Sequence, residues 1–388
     1  MPSVKHPKTL KTVPKILSMF LYLFGTNLQD NYVSSLDHRG KKQRISEKKT
    51  TYWTKFNLIF SHTMYVIANV WLYFGAENLF FFILGSLDAF TFIFTQDILY
   101  SRRDSVRSVI MRLQQLPTQG KKKSKCCRFF YIQIILWFSA LLTAFYIVYS
   151  FAVFTHSDDS MTESEEEPVH LLGIFLKVLI WTIHILYTYE GLSVYLCLFI
   201  HFCLLMQEKL QMINRSLKAM LKQRVYEVRD LQKQRRIYCT LQDIVSEAND
   251  VFADICFMWI TRIICRSCGS VYHMSTQSWT GQGFILQLLF VMDTVFDILY
   301  LSLMCLFAEG IVKSKSEILE PLIGLCGLSN VHMVDCALEI HFFLCIVGHS
   351  PMAMTVGNIS PLSMNFAATI LGVIGSNGVI IFQLSASK

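Results

Sequence analysis

Phe366-Ala367-Ala368-Thr369-Ile370-Leu371-Gly372-Val373-Ile374 runs without a charge into Gly375-Ser376-Asn377-Gly378-Val379-Ile380-Ile381-Phe382-Gln383-Leu384. Pro361 and Asn365 mark the entry to this stretch. A helix rises about 1.5 Å per residue, so Leu362 to Gln383 is long enough to cross a hydrocarbon core about 30 Å thick. Working outward from it, six more apolar runs read the same way, near Phe56 to Phe74, Leu79 to Leu99, Phe129 to Phe154, Leu171 to Met206, Val251 to Tyr272 and Phe284 to Val312. The expected fold is an all-α membrane protein of seven transmembrane helices. Composition agrees, since 53% hydrophobic and 13% aromatic residues are too apolar for a soluble chain of 388.

The fourth and sixth runs exceed what a bilayer needs, which predicts helices that tilt or continue beyond it. Glu317 to Gly348 is apolar but broken by Pro321, Asp335, Glu339, His341 and several glycines, and reads as helices packed beneath the membrane. The connections alternate in charge. Arg102, Arg103, Arg107, Arg112, Lys121, Lys122, Lys123, Lys125 and Arg128 lie between the second and third runs, whereas Asp158, Asp159, Glu163, Glu165, Glu166 and Glu167 follow the third. Lys and Arg favour the cytoplasmic side, and the basic segments before the first run and over Lys209 to Arg236 follow the same alternation. The expected N-terminus is therefore cytoplasmic and the C-terminus extracellular. The expected division is a cytoplasmic segment 1–52, a six-helix bundle 53–312, a cytoplasmic anchor segment 313–361 and a last helix 362–388.

Other signals point away from catalysis and cofactors. The chain has no Gly-rich phosphate loop, no G-x-S-x-G and no HExxH, and its histidines are dispersed, so no catalytic or metal residue is proposed and no cofactor is expected. Cys265-Arg266-Ser267-Cys268 has CxxC spacing inside a span without a second pair, and the cysteines read as small apolar side chains. Cys126 and Cys127 border the third span among basic residues, a position suited to palmitoylation. Ile16 to Gly25 after a basic start reads as an interfacial helix rather than a cleaved leader. Anionic membrane lipid accounts for the basic loops without nucleic acid.

Charges inside the spans are more informative, because an ion at mid-bilayer costs at least about 2.5 kcal/mol and demands a partner or water. Arg262 and Arg266 lie one turn apart in the fifth span, and Asp293 and Asp297 one turn apart in the sixth. Counting depth from the loops pairs Arg262 with Asp293, either as a structural tie or as part of a hydrated, ligand-contacting network. Trp71, Tyr73, Tyr146, Tyr149, Trp181, Tyr272 and Trp279 are candidates for an outward-facing ligand pocket, and each could equally anchor its helix at the interface.

The closing stretch resembles the insect gustatory receptor signature, Thr-Tyr, five apolar residues, then Gln-Phe. The spacing and Gln383 are kept, with Ser376 for Thr, Asn377 for Tyr and Leu384 for Phe. Gly348-His349-Ser350-Pro351 and Val356-Gly357-Asn358-Ile359-Ser360 resemble the segment leading into that family's last helix. The resemblance implies a tastant-gated, non-selective cation channel in the plasma membrane of chemosensory neurons, built as a homo- or heterotetramer with other gustatory subunits. It also implies a pore lined by the last helix, with Gly375, Val379, Phe382 and Gln383 as the candidate lining. Ala368, Gly372 and Gly375 fall at helical spacing on one face, as close helix approach requires. Departures from the signature favour a bitter or plant-metabolite ligand over a sugar. The alternatives are a receptor coupled to a G protein, disfavoured by the reversed orientation, and a small-molecule transporter, disfavoured by the lack of an inverted repeat.

Overall fold

The structure, a computed structural model, describes residues 79–117, 191–224, 227–276, 282–328 and 334–386, with isolated positions between 55 and 67 and at 135, 179 and 182. Eight helices and one small hairpin are described: α1 Leu79–Ser101, α2 Arg103–Gln115, α3 Gly191–Gln223, α4 Val228–Thr276, α5 Gln282–Ser316, α6 Leu319–Leu328, α7 Val334–His349, β1 Thr355–Val356, β2 Ser360–Pro361 and α8 Met364–Ala386. Most of the run near Phe56 to Phe74, and all but Ile135 of the run near Phe129 to Phe154, lie outside these residues.

The long helices follow from their apolar patterns. α3 is apolar on every side over its first half because it is the bundle's centre, with Val194 to Phe199 all buried. α2 is amphipathic instead: Val106, Val109, Ile110 and Leu113 at i, i+3, i+4 and i+7 are buried, and Arg112 pairs with Glu247 of α4. The expected fifth span is part of a single 49-residue helix, α4, about 73 Å long at about 1.5 Å per residue. That is more than twice a bilayer core. It continues through the basic segment because Leu231, Tyr238, Leu241, Ile244, Val245 and Ala248 keep a buried stripe going below the span.

This extra length builds a basal layer. α6 packs on the end of α3, and α7 packs on α4 with Cys336, Ile340, Phe343 and Val347 turned inward. Tyr238 of α4 meets Phe343 edge-on at 5.7 Å, and its hydroxyl is 2.6 Å from that of Ser350. Arg235 ties to Glu339, and Lys218 to Glu320 at 3.0 Å. Within Glu317 to Gly348 the described residues form α6 and α7, packed on α3 and α4. The opposite face of α7 leaves Val334, Leu338 and Phe342 about two-thirds exposed.

A two-stranded turn links this layer to α8. Thr355 pairs with Pro361 and Val356 with Ser360. Gly357 and Asn358 both take positive φ, 53° and 58°, as a reversal this tight requires. The turn is fastened to α4: Gly357 N donates to Ala253 O at 2.9 Å, and Asn249 bonds both Thr355 N and the Asn358 side chain at 2.8 Å.

Among the described residues three helices are long and apolar enough to cross a membrane: Gly191–Gln223, Phe290–Leu328 and Met364–Leu384. They differ in burial. The most apolar part of the first is 83% buried and that of the last only 11%, so among the described residues α8 is the least covered of the three.

Candidate ligand cavity and buried charge network

Three helices converge on one narrow cavity. Leu192 of α3, Trp259, Arg262 and Ile263 of α4, and Phe296, Tyr300 and Met304 of α5 line it. The spacings 259, 262, 263 and 296, 300, 304 are helical repeats that turn one face of each helix to the same space. Tyr300 closes it: its hydroxyl contacts Ser193 Oγ, and its ring meets Phe296 edge-on at 4.3 Å. Trp259 is fixed by donating from Nε1 to Thr95 Oγ1 at 3.0 Å. The space left for water is about 20 Å³, room for about one molecule. A larger guest has to displace Tyr300, Phe296 or the helix that carries them.

One cavity wall belongs to a buried charge network. Arg262 donates from Nε to Asp88 Oδ1 at 2.7 Å and from Nη1 to Asp297 Oδ1 at 3.0 Å. Arg266 donates from Nη1 to Asp88 Oδ2 at 2.6 Å, bonds Asp293 through Nη2, and places Nε 4.0 Å from Asp297 Oδ2. Arg262, Asp293 and Asp297 are all at most 5% exposed. The pairing of Arg262 with Asp293 expected from depth counting is therefore corrected. Asp293 goes to Arg266 and Arg262 to Asp297, because each acid of α5 meets the arginine one turn away from that estimate.

Asp88 is the residue that sequence reasoning missed. Its carboxylate bridges both arginines and brings α1 into contact with the α4–α5 pair. The signal was present as an acid near the middle of the apolar run Leu79 to Leu99, which also carries Asp97 near its end, since an ionisable residue in a span marks a tie or a site. The cavity itself has no comparable signal, because Phe296, Tyr300 and Met304 look like any apolar helix face.

Of the expected pocket aromatics only Tyr272 is among the described residues, and it does not line this cavity. Tyr272 lies on α4, 41% exposed and about 20 Å along the helix from Trp259. Trp71, Tyr73, Tyr146, Tyr149, Trp181 and Trp279 lie outside the described residues. The candidate pore residues Gly375, Val379, Phe382 and Gln383 fall at i, i+4, i+7 and i+8 on the uncovered side of α8, all four exposed. Among the described residues, a Cβ at Gly372 or Gly375 would meet no atom within 4 Å. The opposite stripe of α8, through Ala367, Ile370, Leu371, Ile374 and Gly378, packs on α4 and α5.

Long apolar helices tied by a buried charge network, three of them long enough to cross a membrane, are the architecture of a helical membrane protein. The chain matches the 7tm chemosensory receptor family over residues 16–387 and belongs to it. Its fold is similar to that of the insect olfactory receptor OR5 from Machilis hrabei, with a TM-score of 0.73 and 12% identity over 95% of this chain and 97% of that one. The structure of that receptor in complex with eugenol gives a TM-score of 0.71, again at 12% identity, with 95% of this chain and 97% of that one covered. At this identity the likeness concerns the seven-helix fold. No curated protein matches the chain. The resemblance read from the closing stretch thus leads to the insect chemoreceptor superfamily, which family and fold share.

Proposed function

We propose that the protein is a gustatory receptor subunit: a tastant-gated, non-selective cation channel of the plasma membrane of chemosensory neurons, homo- or heterotetrameric, with a bitter or plant-metabolite ligand. The observation that carries this reading is the state of α8. It is a membrane-length apolar helix of which only 11% of the most apolar part is buried, and its uncovered face carries Gly375, Val379, Phe382 and Gln383. Small residues on that face suit close approach by other subunits, and an apolar stretch ending in an amide suits a pore that closes by dewetting. The exposed apolar stripe Val334, Leu338 and Phe342 on α7 gives the basal layer a matching surface for assembly.

The ligand site in this proposal is the cavity between α3, α4 and α5. A small molecule, eugenol, is held by the similar Machilis hrabei receptor, and a guest of comparable size here has to move Tyr300 and α5. Ligand entry and helix displacement are then one event, which is what gating needs. The basal layer is placed in the cytoplasm with the N-terminus, and the end of α8 outside. On that reading 313–361 is the anchor segment and 362–388 the pore helix.

The test is current in membrane patches excised into nucleotide-free solution from cells expressing the protein, with a panel of bitter and plant compounds as probes. Evoked cation current supports a channel. A response only in intact, GTP-containing cells supports a coupled receptor instead.

A further inference from the structure

We infer that Glu309 is the positioning residue that ties α8 to α5, so that displacement of the cavity wall reaches the last helix through its carboxylate. The inference deepens the proposed function and rests on it for the word gating.

Two attachments hold the start of α8, and they go to different helices. The preceding turn is fastened to α4 through Ala253 and Asn249. The first helical amide, Met364 N, donates instead to Glu309 Oε2 of α5 at 2.6 Å. A carboxylate there satisfies one of the free N–H groups of the first turn and faces the positive end of the helix dipole. Ser363 Oγ serves a second, accepting from Phe366 N at 3.2 Å. The bond is charge-assisted and directional, whereas most of the remaining contacts of α8 with α4 and α5 are apolar, with Asn377 against Cys268 and the Ser363 and Ala367 backbone against Cys305 as weaker thiol contacts. Leu362 and Ala367, at either side of the cap, are each 1% exposed, so this is the firmly seated end of a largely uncovered helix.

The same helix that supplies the cap supplies the cavity wall. Glu309 follows Tyr300 by two and a half turns, about 14 Å along α5. Beside it Gly310 lies against Gln207 of α3, where an added Cβ would come within 2.3 Å of Gln207 Nε2, and Gln207 Nε2 donates to Phe307 O at 2.8 Å. This close packing ties α5 to α3 and limits its approach to that helix, so a displacement of the cavity wall that tilts or turns α5 also carries the Glu309 carboxylate with it. Moving Tyr300 and Phe296 aside from α4 therefore shears α8 between its α4 attachment and its α5 cap.

The experiment is hydrogen exchange at the amides of residues 364–368 in the full-length receptor in nanodiscs, for the wild type, Glu309→Ala, Glu309→Gln, Tyr300→Phe and Tyr300→Phe combined with each Glu309 change. Glu309→Ala is expected to speed exchange there by about tenfold or more, as loss of a bond to a charged group predicts, and Glu309→Gln by less. Tyr300→Phe, which removes the Ser193 contact, is expected to alter exchange at 364–368 when Glu309 is present and to lose that effect in Glu309→Ala. Effects that simply multiply, or unchanged exchange in Glu309→Ala, overturn the link. If the alanine variant does not fold, the isosteric Glu309→Gln decides by the same two comparisons. Exchange needs no current: a wild type that never conducts removes the channel reading, while coupled exchange still supports the link.

Discussion

Arg262 donates to Asp297 Oδ1 at 3.0 Å while forming part of the wall of the cavity that Tyr300 closes. The network therefore stands where a ligand would press. It ties three helices, since Asp88 of α1 accepts from both arginines of α4, and α5 supplies Asp293 and Asp297. Asp297→Ala is expected to cost about 3–5 kcal/mol, because it strands part of a buried guanidinium. Asp297→Asn keeps one acceptor and should cost less. The check is surface expression together with the melting temperature of detergent-solubilised receptor. Exchanging the charges at 262 and 297 is expected to fail as a rescue, since it sets a carboxylate at position 262 against Asp88. A full rescue would mean that Asp88 is not the shared partner.

In the basal layer, Tyr238→Phe removes the contact with Ser350 and is expected to destabilise the receptor by about 1 kcal/mol. Burial pushes the Tyr238 hydroxyl above its ordinary value, more than the Ser350 bond lowers it. An acid raised on folding contributes stability that is full below its unfolded pKa and is lost as pH climbs through the folded one. The wild-type advantage over Tyr238→Phe should thus be flat through neutral pH and shrink only above about pH 10. Paired melting curves across pH read it directly, and a loss near pH 7 would contradict the assignment.

On the proposed orientation, in which charge alternation and seven spans put the C-terminus outside, an epitope placed after Lys388 should be labelled on intact cells. Labelling that requires permeabilisation would reverse the proposed orientation and remove the basal layer from the cytoplasm.

The class of fold is legible in the sequence because a bilayer imposes its thickness on apolar runs, and α1, α5 and α8 lie along the runs read from Leu79, Phe284 and Leu362. The continuity of α4 is harder to read. Its lower half is polar in composition, with Arg229, Lys233, Arg235 and Arg236, and only the spaced stripe from Leu231 to Ala248 shows that it packs. The site is less legible still. Arg262 and Arg266 announce themselves as ions in a span, but their partners depend on helix register, which an error of one turn changes. Glu309 gives no signal at all, because a single acid near the end of a span is ordinary until Met364 is seen beside it.

Gln383→Ala is expected to change ion selectivity or basal current with surface expression intact. On the proposed reading α8 lines the pore, and Gln383 ends the apolar stretch Val379 to Phe382 near the outer mouth. In a symmetric assembly each such residue forms a ring. An apolar ring at Val379 can close by dewetting, and an amide ring at Gln383 can replace part of an ion's hydration shell. Gln383 is exposed and Val379 is 58% exposed in the single chain, so neither is needed to pack α8 on α4 or α5. Substitution there should leave the fold alone and act on conduction. Cysteine at either position should react with external thiol reagents faster when an activating compound is present. Unchanged conductance, selectivity and reactivity at both sites, with normal surface expression, would leave α8 facing lipid, and the uncovered face of this helix would no longer support a pore.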